Sequence, residues 1–201
     1  QREYLPCEED KGQEFSRLTG VVRDEIRRLN VIIEDFLTFS RSRRLELRQF
    51  SLTEVIQKLA RLMGEEARAR GVALTVKSAP DALMVPMDVD KLQQALINIV
   101  KNSLESIDGT GSIDIVLEKQ PGDRAVVRIS DTGAGLAPGE IEKIFDPDYT
   151  TKEKGLGLGL PIAYEIIRGH GGTIDVQSSQ GRGTTFEISL PTQPAPAAAP
   201  R

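Results

Sequence analysis

The chain has few of the residues that mark several common protein classes. Its 201 residues include one cysteine, one histidine and no tryptophan, and aromatic residues make up 4%. The single cysteine, Cys7, excludes an internal disulfide framework and is typical of a reducing compartment. The formal net charge of −4, with no basic stripe interleaved with aromatics, argues against nucleic-acid binding. A folded core must therefore be aliphatic.

Long apolar runs are missing as well. No run approaches the roughly 20 apolar residues needed to cross a bilayer, and no secretory signal peptide is visible. The sequence therefore predicts a cytoplasmic protein, or the cytoplasmic part of a membrane receptor whose membrane span lies upstream. The hydrophobic fraction of 39% is sufficient for a globular core.

Hydrophobic periodicity divides the chain into four parts. Residues 1–14 are polar and patternless, and we expect a disordered segment or an added tag. Over residues 15–48, apolar residues recur at steps of three and four, which predicts a long helical arm that packs in a bundle or coiled coil. A core-facing helix of the same domain is the alternative. Residues 49–191 read as a globular domain, and the Pro/Ala-rich residues 192–201 as a disordered tail.

The globular part alternates helices and strands. The capping box Ser51-Leu-Thr-Glu54 opens a helix that Gly71 stops, and Asp88 caps another. Helices are predicted over residues 51–70, 88–107, 140–144 and 161–168. Strands are predicted over residues 72–76, 83–85, 112–118, 125–130, 173–178 and 184–190. The hairpin-like pairs predict a mixed, largely antiparallel sheet with helices on one face, a two-layer α/β sandwich.

Two asparagines on the second helix are candidate metal ligands. Asn98 and Asn102 are four residues apart, so their side chains share a helix face. Their carboxamide oxygens could ligate a hard cation such as Mg²⁺, which keeps waters and phosphates as its other ligands. Two exposed polar residues on an amphipathic helix are the alternative, and the more common case for such a pair alone.

The segment Asp131-Thr-Gly-Ala-Gly135 directly follows a predicted strand. A carboxylate only accepts hydrogen bonds, so a buried Asp131 could take the exocyclic amine of adenine and would repel the carbonyl of guanine. Gly133 and Gly135 would let the backbone come close to a flat base. An ordinary Asp-Thr-Gly turn is the alternative.

A third group of residues suits phosphate. The hydroxyls of Thr150 and Thr151 and the ammonium of Lys152 can bind phosphate oxygens. The glycine run that follows leads into a helix, whose first N–H groups can face an anion. Its candidate contacts are Gly155, Gly157, Leu158, Gly159 and Leu160. The run is neither a dinucleotide fingerprint nor a GxxxxGK[ST] loop, and alone it would be an ordinary flexible loop.

In combination, these motifs resemble the ATP-binding catalytic domain of sensor histidine kinases, within the GHKL superfamily that includes the Hsp90, DNA gyrase B and MutL ATPases. The matching segments are Asn98–Asn102 (N box), Asp131–Gly135 (G1 box), Phe145–Pro147 (F box), Gly155–Leu160 (G2 box) and Gly181–Phe186 (last glycine box). Thr184, in the last box, is a further candidate contact to ATP. The resemblance covers about residues 50–190 and implies the Bergerat-type ATP-binding fold.

The resemblance also implies roles and partners. It makes Asn102 a Mg²⁺ ligand, with Asn98 as a second candidate, and Asp131 the reader of adenine. Residues from about Pro138 to Gly157 would form a mobile lid, and residues 15–45 resemble the second helix of the dimerisation and phosphotransfer hairpin. The implied ligands are ATP or ADP and Mg²⁺. The implied partners are a phosphoacceptor histidine helix, a response regulator and, in the full-length protein, a second copy of the chain.

Asn98 separates the branches of this superfamily. In the ATPases the matching residue is a glutamate that activates water, whereas an amide takes no proton at neutral pH. This favours transfer of the γ-phosphate to a protein histidine, for which a site supplies mainly positioning and charge neutralisation. Two alternatives stay open: a nucleotide-binding sensor or scaffold module without phosphotransfer, and an ATPase of the same superfamily.

Two features depart from the family pattern. The phosphoacceptor helix is missing from this chain, and its one histidine, His170, lies at a helix end beside glycines, where a structural role is predicted. We therefore expect the chain as given not to autophosphorylate. Asp148 stands where the family usually has an aromatic residue. A carboxylate pointing toward the phosphates would disturb the lid or weaken ATP binding, whereas one facing water would not.

Overall fold

The computed structural model describes residues 17–20, 22–23, 45–78, 82–147, 149 and 157–193. It divides the chain into two units, residues 1–42 and 43–201. In the first unit, residues 17–20 and 22–23 are helical, with Leu18 and Val22 exposed. The predictions for residues 1–14, for most of the arm and for residues 194–201 of the tail lie outside the described residues.

The second unit contains the predicted alternation of helices and strands. Its helices are α1 (Leu52–Ala69), α2 (Val89–Ser106), α3 (Pro138–Ile141) and α4 (Gly159–Gly169). Its strands are β1 (Arg48–Ser51), β2 (Val72–Ser78), β3 (Met84–Met87), β4 (Gly111–Gln120), β5 (Arg124–Asp131), β6 (Thr173–Ser179) and β7 (Gly183–Pro191). Within the described ranges, no helix is both long enough and apolar enough to span a membrane.

Five strands form one sheet in the order β2-β4-β5-β7-β6. Strand β2 runs parallel to β4, and the three other pairs are antiparallel. This confirms the mixed, largely antiparallel sheet.

The two predicted helix caps are confirmed as well. Ser51 Oγ accepts from the amide of Glu54 at 3.2 Å, and Asp88 Oδ1 accepts from the amide of Lys91 at 3.2 Å.

Some boundaries predicted from the sequence were wrong. Residues 45–47 are not helical, and β1 begins at Arg48, which the prediction assigned to the arm. β1 pairs with β3 in a separate two-stranded sheet, so β3 does not join the main sheet. Four mostly exposed residues carry too little periodicity to indicate a strand. The short helix α3 lies at Pro138–Ile141 rather than 140–144, because proline suits a first helical turn.

The helices cover one face of the sheet, and the core between the two layers is aliphatic. Its largest fully buried side chains include Leu92, Leu96 and Ile99 of α2 and Ile113, Ile115 and Leu117 of β4, with Phe186 of β7 as an aromatic exception. The opposite face, here called the outer face, carries polar side chains. On it Arg128 lies 2.6 Å from Glu187 and 2.7 Å from Glu118, and these hydrogen bonds raise the pKa of Arg128. The two-layer sandwich is thus confirmed.

Candidate nucleotide-binding site

Asp131, the last residue of β5, is only 6% exposed. Its Oδ1 accepts from the amides of Gly133 at 2.9 Å and Thr184 at 3.1 Å, and Ser106 Oγ lies 3.4 Å away. Its Oδ2 is buried and has no hydrogen-bond partner among the described residues. A buried oxygen that accepts nothing is unfavourable and rare in native proteins. Asp131 therefore offers one free acceptor to a donor from outside the protein.

The loop after Asp131 is held between α2 and the β6–β7 turn. The amide of Ala134 donates to Ser106 O at 2.9 Å, and the amide of Gly181 donates to Ala134 O at 2.6 Å. A Cβ on Gly133 would overlap the Ser106 side chain, and one on Gly135, where φ is +67°, would overlap the carbonyl of Ser179. These glycines are thus required by the protein's own packing. Close approach to a base stays a prediction for them.

The asparagine helix contacts the glycine run directly. Asn98 Nδ2 donates to the carbonyl of Gly159, the first residue of α4, at 3.0 Å. Because a carbonyl can only accept, this contact fixes the orientation of the amide and leaves Asn98 Oδ1 as its acceptor. Asn102 lies one turn later on α2 and is partly exposed. The structure brings the N box and the G2 box together, as the resemblance implied.

The oxygen donors present suit Mg²⁺ better than a softer metal. The described residues contain no group of three or more histidine, cysteine, aspartate or glutamate side chains that could hold a metal ion. The amide oxygens of Asn98 and Asn102 are hard donors on one helix face. Mg²⁺ commonly takes few protein ligands and completes its shell with waters and phosphate oxygens. The site fits such a cation, and the ligand roles stay predictions.

The start of α4 is the part of the predicted phosphate site that the structure describes. Gly157 has a φ of +70°, and no side chain caps the helix at Leu158. The first amides of an uncapped helix lack intrahelical partners and suit an anion. The other candidates, Thr150, Thr151, Lys152 and Gly155, lie outside the described residues, as does Asp148. Their contacts to phosphate stay predictions.

The described part of the predicted lid is tied to its neighbours. The ring of Phe145 lies 5.2 Å from that of Tyr164 on α4. Tyr149 donates to Glu140 Oε1 at 3.2 Å, and Glu140 Oε2 accepts from the amide of Ala137 at 2.8 Å. Burial raises the pKa of Tyr149, and the charge and hydrogen bond of Glu140 raise it further. The Tyr149 hydroxyl therefore keeps its proton at neutral pH. Sequence patterns did not indicate its hydrogen bond to Glu140.

His170 is 2% exposed and both ring nitrogens are engaged. Nδ1 lies 2.7 Å from the carbonyl of Ile166, and Nε2 accepts from the amide of Asp88 at 3.0 Å. The ring is thus neutral, with its proton on Nδ1, and it joins the end of α4 to the residue that caps α2. The predicted structural role is confirmed.

The burial of His170 leads to the first prediction. We expect the purified chain to incorporate no acid-labile phosphate from Mg–ATP, because its one histidine is buried and bonded at both nitrogens. Radiolabelled ATP followed by acid treatment checks this, with ADP binding by the same preparation as the control for folded protein. Stable incorporation of acid-labile label would contradict it.

Sequence patterns did not indicate two serines that lie near Asp131. Ser106 Oγ donates to Ser103 O at 2.8 Å and lies beside Asp131. Ser178 Oγ accepts from the amide of Leu136 at 2.8 Å and contacts Thr184 Oγ1 at 2.9 Å. The only signal for Ser178 was its phase in β6, which puts it on the same side as Ile174 and Val176. A lone serine in a strand does not indicate a partner.

Comparison with known proteins agrees with this geometry. The family described as histidine kinase-, DNA gyrase B- and HSP90-like ATPase matches residues 87–194. The sensor histidine kinase ZraS of Salmonella typhimurium is 33% identical over 180 residues, which is 90% of this chain and 39% of the relative. The chain thus spans about two fifths of that protein.

Two solved structures are also similar. The catalytic domain of histidine kinase ThkA matches with a TM-score of 0.68 and 32% identity, covering 74% of this chain and 97% of that one. ThkA in complex with the response regulator protein TrrA matches with a TM-score of 0.74 and 29% identity, covering 90% of this chain and 52% of that one.

Proposed function

The chain belongs to the family of histidine kinase-, DNA gyrase B- and HSP90-like ATPases, and on that premise we propose that it is the Mg–ATP-binding catalytic part of a two-component sensor histidine kinase. The observation that carries the proposal is the free, buried Oδ2 of Asp131. Asp131 lies beside Ser106, at the end of α2, through its other oxygen, Oδ1. Earlier turns of α2 carry the asparagine pair, and Asn98 contacts the first residue of α4.

Adenine recognition follows from the two unequal oxygens of Asp131. Oδ1 is already held by the amides of Gly133 and Thr184. Oδ2 is left to accept the exocyclic amine, and a base with a carbonyl at that position would meet it oxygen to oxygen. Charge-assisted hydrogen bonds to a carboxylate are about twice as strong as neutral ones, which suits this oxygen as the main determinant of base identity.

The phosphates would lie toward α4. Asn102, with Asn98 as a second candidate, would hold Mg²⁺, which when bound neutralises charge on the phosphate oxygens. The amides of Gly157 and Leu158, just before α4, and of Gly159 and Leu160, its first two residues, would bind the phosphate chain. Thr150, Thr151, Lys152 and Gly155 belong to the same proposed contact set by their place in the sequence.

Transfer is favoured over hydrolysis by the chemistry of Asn98. Its amide nitrogen donates to Gly159 O, and an amide cannot take a proton from water at neutral pH. In the proposed reaction an imidazole nitrogen of an acceptor histidine attacks the γ-phosphorus. The bond to the β–γ bridging oxygen breaks, and ADP leaves with that oxygen. The protein's part is positioning and charge neutralisation.

The proposal extends to partners. ThkA is bound to the response regulator TrrA in one of the similar structures, and we assign a response regulator to this chain as well. A helix carrying the acceptor histidine, supplied by a hairpin that pairs two copies of the full-length protein, belongs to the same proposal. So does a location in the cytoplasm, where an unpaired thiol such as Cys7 stays reduced.

Phosphotransfer in trans tests the function. We expect the chain with Mg–ATP to label an added dimerisation-hairpin fragment that carries an acceptor histidine, because the site supplies the nucleotide and the fragment supplies the missing nucleophile. The label should be acid-labile, and a hairpin variant with alanine in place of the histidine should take none.

Other outcomes would favour other functions. Tight ADP binding with no label on the hairpin would favour a nucleotide-binding sensor or scaffold. Steady release of free phosphate, independent of the hairpin, would favour an ATPase. The burial of the only histidine in the chain keeps these outcomes apart, because it removes self-labelling as a competing signal.

A further inference from the structure

Ser178, on β6, contacts three residues in two separate segments around Asp131. Its Oγ accepts from the amide of Leu136, in the loop after Asp131, at 2.8 Å. It lies 3.0 Å from the carbonyl of Gly183 and 2.9 Å from Thr184 Oγ1, both at the start of β7. None of the motifs that define the site includes Ser178, yet its hydroxyl joins the loop after Asp131 to the last glycine box.

Counting protons fixes the direction of these bonds. An amide can only donate and a carbonyl can only accept, while each hydroxyl carries one proton. The amide of Leu136 therefore donates to Ser178, and Ser178 donates to Gly183 O. The contact with Thr184 is then satisfied only if the Thr184 hydroxyl donates to Ser178. This is the one arrangement that satisfies all three contacts, and it fixes the Thr184 side chain through its own proton.

Thr184 carries the effect to Asp131, because the residue whose hydroxyl Ser178 holds also donates its amide to Asp131 Oδ1 at 3.1 Å. That bond, with the one from Gly133, turns the carboxylate so that Oδ2 is the free oxygen. We infer that Ser178 is a positioning residue for base recognition: through Thr184 it holds Asp131 in the orientation that accepts an adenine amine. The inference rests on the proposed nucleotide site.

The chain contains a matched control for this pair. Ser130 Oγ and Thr185 Oγ1 also lie 2.9 Å apart, one residue away from Asp131 and Thr184 in sequence, but on the outer face of the sheet. Replacing Ser130 with alanine removes a hydrogen bond of the same kind, between a serine and a threonine, that joins β5 to β7. It leaves the bonds on Asp131 in place.

The test compares binding of ADP and of inosine diphosphate, which has a carbonyl in place of the adenine amine, by calorimetry with Mg²⁺ and the full chain. Wild type should prefer ADP by at least about tenfold, since one charged hydrogen bond separates the two bases. Ser178→Ala should weaken ADP binding about tenfold and inosine diphosphate binding far less, so the ratio collapses. Ser178→Thr, which keeps the hydroxyl, and Ser130→Ala should both keep the wild-type ratio.

The possible failures are distinguishable. Wild type that binds no ADP would overturn the proposed function, and the inference with it. Wild type that discriminates, with a Ser178→Ala ratio within about twofold of it, would overturn the inference alone. If Ser178→Ala does not fold in a thermal melt, Thr184→Val replaces it, because valine keeps the amide on Asp131 and removes the hydroxyl that Ser178 holds, along with any direct contact of that hydroxyl to the nucleotide. An unchanged ratio in Thr184→Val would also overturn the inference.

Discussion

Asp131→Asn is expected to weaken ADP binding by at least about 100-fold while the domain stays folded. The asparagine oxygen can still accept from the amides of Gly133 and Thr184, so the local fold is kept. Its amino group then takes the place of Oδ2, and a donor faces the donor of adenine. Calorimetric titration of ADP into the variant and into wild type measures the loss.

The same variant makes a second, sharper expectation possible. An amino group at this position suits a carbonyl, so inosine diphosphate should bind Asp131→Asn at least as well as ADP, reversing the wild-type order. Asp175→Asn, on an exposed position of β6, is the charge-matched control and should change neither ligand. Undiminished ADP binding by Asp131→Asn would remove Asp131 from the site.

Gly183→Ala is the substitution with the largest expected effect on stability. A Cβ there would overlap the carbonyl oxygen of Asp131, and the residue has a φ of +88°, which side chains other than glycine rarely adopt. We expect a loss of about 3 kcal/mol or more in the free energy of unfolding, or failure to fold. Urea denaturation followed by circular dichroism measures it.

Gly181 separates the two causes of that loss. It has a similar φ of +75°, but nothing lies within 4 Å of the position its Cβ would take. Gly181→Ala should therefore cost only the backbone strain, about 1–2 kcal/mol. Equal stability of the two variants would mean that the close approach of β7 to Asp131 adds nothing to the free-energy cost of Gly183→Ala. The account of the site as a tightly packed junction would then be wrong.

Local signals predicted much of this fold. The caps at Ser51 and Asp88 located α1 and α2, because a cap is a contact between residues three apart. The spacing of Asn98 and Asn102 predicted a shared face, since helix geometry alone decides it. The order of strands and helices predicted the two-layer sandwich, because the apolar face of a sheet and the apolar stripes of its helices must be buried against each other.

Contacts between distant residues were not predictable. Nothing near Arg48 indicates that it pairs with Met87 in a small separate sheet. The sequence does not indicate that His170 accepts a hydrogen bond from Asp88, which is 82 positions away. The neutral form of His170 could therefore be inferred only from the structure. Asp131 was identified as a candidate acceptor, but which oxygen is free depends on Thr184, 53 positions later. A single sequence indicates which residues could take part in such a junction, but not which of them contact each other.

The bond from Thr184 to Asp131 also dictates when the site comes into existence. During synthesis the chain emerges from its amino end, so β5 and both asparagines are exposed before β7. Until Gly183–Pro191 has been made and has paired with β5, Oδ1 of Asp131 lacks one of its two amide partners and the carboxylate is free to turn. In a nascent chain halted before β7, Asp131, the proposed adenine acceptor, therefore lacks the bond from Thr184 that orients it, and we expect nucleotide binding only after β7 has paired with β5.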